Sequence, residues 1–173
     1  MNTSELENAL NVLLRYNERN RISCYVIAAN ELKNILIRSY PAMIIQNCDP
    51  LGKPGSHWIA YVAYENGTCE YFDSYGNPIQ TYNVQVPGKI IKENCQVLQS
   101  GTSETCGEFC LYFLYHRTIG TSYNKIIQTF SSRSAVNDRR VKKFVSAISY
   151  CLHYTNSINH CQNCINQIQS KFK

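Results

Sequence analysis

The sequence predicts an α+β fold, with a small central, mostly antiparallel sheet flanked by helices. Helical periodicity marks both ends of the 173-residue chain, strand-like apolar runs occupy its middle, and an Asn-Gly turn signal joins two of those runs. No Pro-rich or Gly-rich linker interrupts the chain. We therefore expect a single domain over residues 1–173, with residues 152–173 forming a Cys/His-containing tail.

The first half of the chain contains one helix and then the predicted strands. Ser4 and Glu7 have the spacing of a capping box, which predicts a helix that continues to about Tyr16. "ANELKNIL" predicts a short second helix, and "PAMIIQN" a buried strand. "HWIAYVAY" and "CEYFDSYG" flank Asn66-Gly67 and so predict a hairpin, while "CQVLQ" indicates another short strand.

The second half is mostly helical. Apolar periodicity predicts helices over residues 106–118, which Gly120 terminates, then over 122–130 and 135–151. The first of these helices carries an apolar stripe at i, i+3, i+4, i+7 and i+8 spacing: Cys106, Phe109, Cys110, Phe113 and Leu114.

Composition narrows the class of protein. The N-terminus lacks the pattern of a signal peptide, and the apolar runs are too short to span a bilayer, so we expect an intracellular protein without a membrane partner. The nine cysteines are odd in number, which favours reduced thiols over a disulfide framework.

Charge is distributed unevenly. Residues 117–173 contain nine Lys or Arg and one acid, Asp138, whereas residues 1–116 contain eight bases and eleven acids. This basic C-terminal third suggests a polyanion partner such as DNA, but the absence of a base-reading motif favours a solvated helix face.

Cys106 has two interpretations. It fits the buried stripe, where cysteine acts as a small apolar residue. Thr105 and Glu108, however, have capping-box spacing and make Cys106 the first helical residue, where the helix dipole favours a nucleophilic thiolate. Gly107 would leave room for a substrate backbone. Cys110, one turn further on, needs no explanation beyond packing.

A thiol nucleophile needs a base, an orienting group and oxyanion donors. His57, between a loop and an apolar strand, is the best candidate base, and Asp73 ends the partner strand. A two-residue turn at Asn66-Gly67 would place these two side chains on opposite faces, so we predict an odd-length loop, a bulge, or His57 just outside its strand. Gln99, seven residues before Cys106, could donate to an oxyanion. The alternative for each residue is a purely structural role.

These residues in order, "HW", "FDSYG", "Q" and "CG.FC", resemble the adenovirus protease and the wider clan of ubiquitin-like-protein (SUMO) peptidases. A Ser four residues after the Gln, here Ser103, is shared with the adenovirus branch. The stretches "YPAMIIQNCDPLGKPGSHWIAYVAYENGTCEYFDSYG" and "VNDRRVKKFV" closely resemble the proteases of Polinton (Maverick) elements and adintovirus-like genomes, and the resemblance covers roughly residues 20–150. The resemblance implies a papain-like cysteine peptidase fold in permuted order.

The resemblance also implies roles. Cys106 would be the nucleophile, His57 the general base and acid, and Asp73 the residue that orients His57. Gln99 and the Cys106 N–H would form the oxyanion hole, and Trp58 would pack over the site as a substrate-binding residue.

The same resemblance implies a monomeric thiol endopeptidase that matures capsid or core precursors, often after a Gly-Gly pair, in the host nucleus or cytoplasm or inside the virion. No cofactor is required, and DNA or a peptide is a candidate activator. Cys95 is not at the spacing of the adenovirus disulfide, so that disulfide is not expected.

The tail carries a second group of metal-ligand types: Cys151, His153, His160, Cys161 and Cys164. Structural zinc is one interpretation of this spacing, and incidental cysteines at the end of a helix are the other. Two further functions stay open for the chain. One is a peptidase for a ubiquitin-like modifier, and the other is an inactive DNA- or capsid-binding module.

Overall fold

The computed structural model describes residues 1–15 and 22–154. In chain order the elements are α1 (Thr3–Arg15), β1 (Ser23–Ile27), β2 (Ala42–Asn47), β3 (Trp58–Ala63), β4 (Thr68–Phe72), β5 (Lys89–Lys92), α2 (Cys106–Thr118), α3 (Tyr123–Gln128) and α4 (Ser134–Tyr154). The α+β class is confirmed.

The five strands form one sheet in the order β1-β2-β3-β4-β5. The two central pairings are antiparallel, but β1 pairs with β2 and β4 pairs with β5 in parallel. The sheet is therefore mixed, and the expectation of a mostly antiparallel sheet was wrong at both edges. A parallel pair needs a long connection, which a short-range turn signal cannot reveal.

Each central strand contributes side chains to two apolar layers. In β2, Met43 and Ile45 face the helices, whereas Ala42 and Ile44 face the opposite layer. This alternation follows from the two-residue period of a strand. All six residues of β2 and all six of β3 are buried, so both faces of the central sheet are covered.

Helix α2 is buried almost all round, which differs from the predicted one-sided stripe. Every residue from Phe109 to His116 is buried. The helix packs against β3 on one side and contacts α1, α3 and α4 on the others. A helix enclosed in this way has no polar face to expose.

Several local predictions were wrong. The N-terminal capping box uses Asn2 and Glu5, each accepting the other's backbone N–H at 2.9 Å, instead of Ser4 and Glu7. The predicted helix in "ANELKNIL" is a 3₁₀ turn over Leu32–Asn34. "CQVLQ" is not a strand; its last two residues, Leu98 and Gln99, donate their N–H groups to the carbonyl of Ser74.

None of the helices within residues 1–15 and 22–154 combines the length and the apolar character needed to cross a bilayer.

Candidate active site

The β3–β4 hairpin sets the position of His57 relative to Asp73. Ala60 pairs with Phe72, and the Tyr64 N–H donates to Thr68, so the connecting loop has an odd number of residues. Continuing this register places Asp73 on the same face as His57, as diagonal neighbours. His57 also precedes the first residue of β3. The predicted odd-length loop is thus confirmed, together with the position of His57 just outside the strand.

His57 and Asp73 form a short buried pair. The Nε2 atom of His57 lies 2.6 Å from Oδ1 of Asp73, and both side chains are almost inaccessible to solvent. The carboxylate also accepts hydrogen bonds from the N–H groups of Tyr75 and Asn77, both at 3.0 Å, and from the Tyr82 hydroxyl at 2.9 Å. Burial by itself would raise the pKa of Asp73, but the hydrogen bond and charge of His57, with these further donors, lower it overall. Asp73 is therefore ionised and fixed in orientation.

The opposite nitrogen of His57 faces the rest of the site. Nδ1 is buried and has no hydrogen-bond partner among the described residues. Burial would lower the pKa of His57, but Asp73 and the nearby Cys106 side chain together raise it to about 9. The rings of Tyr75 and Tyr82 stack on the imidazole, with centroids 4.9 and 5.7 Å away. These two rings and the hydrogen bond to Asp73 restrict the orientation of the imidazole.

Cys106 is the first residue of α2 and is half-buried. It lines a cleft of about 550 Å³ whose walls also include His57, Trp58, Tyr75 and Gln99. Three of the four predicted catalytic residues, Cys106, His57 and Gln99, therefore line one cleft, and the fourth, Asp73, is buried behind it and hydrogen-bonded to His57.

The N-cap of α2 differs from the prediction. Thr105 is the N-cap residue, but its side chain makes no capping hydrogen bond, so the predicted Thr105–Glu108 capping box does not form. The Thr105 hydroxyl donates instead to Asp138 at 2.8 Å. The hydroxyl therefore donates to a carboxylate on another helix instead of accepting from a local backbone N–H.

Gln99 is buried, and its amide orientation is fixed from both ends. The Ser74 hydroxyl donates to Oε1 at 2.7 Å, while Nε2 donates to the carbonyl of Ser103 at 2.7 Å and to the Tyr75 hydroxyl at 3.3 Å. Only one assignment of the amide nitrogen and oxygen satisfies these partners. The donor end of Gln99 thus faces Tyr75, on the cleft side.

The two predicted substrate-binding residues have different surroundings. Trp58 lines the cleft, packs into the helix-side core and donates from Nε1 to the carbonyl of Met1 at 3.2 Å. Gly107 is buried, and a Cβ there would meet Leu6 of α1 at 3.1 Å. Its missing side chain makes room for α1, so the structure gives no support to substrate binding by Gly107.

The proposed zinc ligands lie mostly beyond what can be described. His160, Cys161 and Cys164 are outside the described residues, as are the side chains of Cys151 and His153. Within residues 1–15 and 22–154, no three His, Cys, Asp or Glu side chains group in a way that could hold a metal ion.

Sequence reasoning missed several residues that support the site. Ser74 orients Gln99, and Tyr75 contacts both His57 and Gln99. Asn94 fixes the backbone of Asp73 through two hydrogen bonds, one from its Nδ2 at 2.6 Å and one to its Oδ1 at 3.0 Å. The position of Ser74 and Tyr75 directly after Asp73 was a usable signal, whereas nothing local marks Asn94.

Comparison with known proteins identifies the fold. No family model matches the sequence, and no curated protein matches it either. Among solved structures, the chain is similar to ChlaDub1 from Chlamydia trachomatis, with a TM-score of 0.50 and 17% sequence identity over 90% of this chain and 79% of that one. At this identity the likeness concerns the fold alone, and it is compatible with the papain-like α+β fold that the sequence resemblance implies.

Proposed function

We propose that the chain is a cysteine endopeptidase that hydrolyses peptide bonds. One observation carries this proposal. The buried His57–Asp73 pair leaves the second imidazole nitrogen without a hydrogen-bond partner in the described chain, in the same cleft as Cys106 at a helix N-terminus. A nucleophile, its base and an orienting carboxylate together meet the requirements of covalent acyl transfer.

The reaction begins with His57 and Cys106. The raised pKa of His57 makes the imidazole a stronger base, so it can take the thiol proton as the Cys106 sulfur attacks. Asp73 holds the ring through Nε2 and stabilises its positive charge. The sulfur forms a bond to the carbonyl carbon of the scissile peptide, whose oxygen becomes an oxyanion.

The backbone N–H of Cys106 and the Nε2 group of Gln99 stabilise that oxyanion. Gln99 Nε2 donates to the Tyr75 hydroxyl at 3.3 Å, which is long for an N–H···O bond. A negatively charged oxyanion is a stronger acceptor, so this N–H group would donate to it in preference to Tyr75. His57 then gives its proton to the leaving amine. A water, deprotonated by His57, hydrolyses the resulting thioester and regenerates the thiol.

The biological task we propose is maturation of capsid or core precursors of a Polinton-like or adenovirus-like element, in the infected cell or in the particle. The sequence resemblance supports this task, together with a preference for small residues such as Gly-Gly before the cut. We propose that the enzyme acts as a monomer and needs no cofactor.

DNA is a proposed activator. Arg133, Arg139 and Lys142 are exposed on or beside α4, within the basic C-terminal third. Exposed cations along one element match a phosphate backbone without reading its sequence.

A second candidate function is processing of a ubiquitin-like modifier. The resemblance to the SUMO peptidases and the similarity in fold to ChlaDub1 favour it. An inactive binding module is disfavoured, because a protein that had lost activity would not need the short His57–Asp73 contact or the doubly fixed Gln99 amide.

The test compares two kinds of substrate. Purified protein is incubated with capsid precursors of the element and, separately, with ubiquitin-like precursors, and the products are mapped by mass spectrometry. Faster cleavage of the capsid precursors supports the maturation role. Faster cleavage of the ubiquitin-like precursors contradicts it and supports the processing of a ubiquitin-like modifier instead. If neither is cut, the peptidase proposal fails.

A further inference from the structure

The segment between Gln99 and the nucleophile, residues 99–105, is here named the oxyanion loop. It carries Gln99 at one end and the N-cap residue Thr105 at the other. It contains no helix or strand, and the hydrogen bond from the Ser103 N–H to the Ser100 carbonyl at 3.0 Å closes a turn within the loop without attaching the loop to the rest of the fold. Its position must come from elsewhere in the chain.

Asp138 of α4 supplies that anchor. Its Oδ1 accepts hydrogen bonds from the hydroxyls of Thr105 at 2.8 Å and Ser103 at 3.0 Å, and its Oδ2 accepts from the N–H of Ser100 at 3.3 Å. Only 7% of Asp138 is exposed. A buried carboxylate with three donors from one loop holds that loop more strongly than neutral acceptors would.

The neighbouring residue extends the anchor to the other side of Gln99. Nδ2 of Asn137 donates to the carbonyl of Leu98 at 3.0 Å. Both sequence neighbours of Gln99, Leu98 and Ser100, are thus fixed by adjacent residues of α4. The Ser103 carbonyl, which accepts from Gln99 Nε2, belongs to the same anchored loop.

A simpler role for Asp138 does not account for these contacts. An acid that stabilises a helix dipole belongs in the first turn, whereas Asp138 is the fifth residue of α4, counted from Ser134. Asp138 is also the only acid among residues 117–173. A single carboxylate in so basic a region, buried against the oxyanion loop, indicates that Asp138 serves to hold this loop.

We propose that Asp138 is a positioning residue, which orients the oxyanion loop and through it the Gln99 donor and the N-terminus of α2. This inference rests on the peptidase function proposed above. Asp138 does not touch the substrate. It determines how well the oxyanion donors fit the transition state, so it affects kcat more than KM.

The test separates oxyanion stabilisation from thiol reactivity. Hydrolysis of an internally quenched Gly-Gly peptide needs the oxyanion hole, whereas alkylation of Cys106 by iodoacetamide forms no oxyanion. We expect Asp138→Ala to lower kcat by about tenfold or more, towards the ~10²–10³ that loss of an oxyanion donor costs, with KM nearly unchanged. The alkylation rate of Cys106 should stay within about twofold of wild type.

Asp138→Asn provides a graded variant. Its single side-chain oxygen can still accept from Ser103 or Thr105, but its NH₂ group opposes the N–H of Ser100. The kcat should fall between those of wild type and Asp138→Ala. Glu65→Gln, the same acid-to-amide change at an exposed hairpin position, is the matched control and should match wild type.

Three results would overturn the inference. They are an unchanged kcat in both Asp138 variants, an equal loss of hydrolysis and alkylation, and a rise in KM alone. Should Asp138→Ala fail to fold, Asp138→Asn decides by the same criteria. Cleavage that survives in Cys106→Ala contradicts the proposed function itself, whereas cleavage abolished in Cys106→Ala but unchanged in the Asp138 variants contradicts only this inference.

Discussion

At the scale of single residues, the site depends on one short contact. The 2.6 Å approach of His57 to Asp73 is the contact on which the proposed role of His57 as a catalytic base rests. His116 shows the contrast within the same chain. It is also buried, but within residues 1–15 and 22–154 it forms no ion pair with a carboxylate, and desolvation, assisted by the charge of Arg140, lowers its pKa to about 4.

The titration of His57 is the first prediction. NMR should give His57 a pKa near 9, above the ordinary 6.5, and Asp73→Asn should lower it, since burial would then be opposed mainly by Cys106. Activity that needs the imidazolium should accordingly fall as pH rises through about 9. An identical titration in Asp73→Asn would contradict the assignment.

The raised pKa of His57 also makes the stability of the folded protein depend on pH. A raised folded-state pKa stabilises the native protein fully below the unfolded value of 6.5 and ceases to do so above about 9. Thermal unfolding of the wild type should therefore show a falling Tm between these two pH values. Asp73→Asn should flatten that slope.

The residue types of the site were predictable from the sequence because they form an ordered motif with characteristic spacing. Their supporting partners were not. Asn94 and Asp138 lie 21 and 33 positions along the chain from the groups they hold, Asp73 and Thr105, and such contacts depend on tertiary packing. Gly107 was misjudged for the same reason, since only the docked α1 reveals what its missing side chain accommodates.

At the scale of elements, the hairpin determines whether the site can form. Its loop ends at Gly67, whose φ of +76° lies in the left-handed region that favours glycine. A Cβ at Gly67 would meet nothing within 4 Å, so a substitution would be strained by backbone conformation alone.

The second prediction follows from this geometry. Gly67→Ala should lower the free energy of unfolding by about 1–2 kcal/mol, as measured by urea denaturation. Gly101→Ala is the matched control, because Gly101 also has open space around its Cα but does not have a positive φ. Equal effects of the two substitutions would show that the conformation of Gly67 does not matter.

An ion pair with a buried carboxylate joins α2 to the sheet. Arg117 of α2 donates from Nε to Glu70 of β4 at 2.7 Å and from a terminal nitrogen at 3.3 Å, and it also reaches the Tyr64 hydroxyl at 3.0 Å. Glu70 is only 3% exposed. Removing Arg117 would leave a buried carboxylate with Lys92, 4.0 Å away, as its remaining ion-pair contact.

The third prediction concerns this pair. Arg117→Met should destabilise the protein by about 3 kcal/mol or more, because the charge of Glu70 loses its main partner. Adding Glu70→Gln should recover part of that loss, which a double-mutant cycle measures. Additive losses would mean that the two side chains do not interact energetically.

At the scale of the whole molecule, the sequence predicted the α+β fold class well but predicted poorly which helix faces and strands are buried. Periodicity located α2 correctly from Cys106 to Thr118. It predicted that only one face of this helix is buried, whereas in the fold nearly all its faces are buried. The aromatic residues between the stripe positions, such as Tyr112 and Tyr115, carried that information. The parallel edge strands β1 and β5 escaped notice because no turn signal links them to their neighbours.

The uneven charge gives the fourth prediction. Duplex DNA should bind the protein and stimulate cleavage at low salt, with an affinity that falls steeply between about 50 and 200 mM salt. Lys142→Gln combined with Arg139→Gln should make the DNA affinity less dependent on salt. The cleavage rate without DNA should stay unchanged. Salt-independent activity unaffected by DNA would mean that the basic third is simply a solvated surface.

The most direct measurement compares three proteins on one peptide substrate: wild type, Cys106→Ala and Cys110→Ala. The two cysteines lie one turn apart on α2, and Cys110 is fully buried in the core. We predict that wild type and Cys110→Ala cleave the internally quenched Gly-Gly peptide, while Cys106→Ala is inactive although it retains the wild-type circular dichroism spectrum. Cleavage by Cys106→Ala at the wild-type rate would contradict the assignment of Cys106 as the nucleophile.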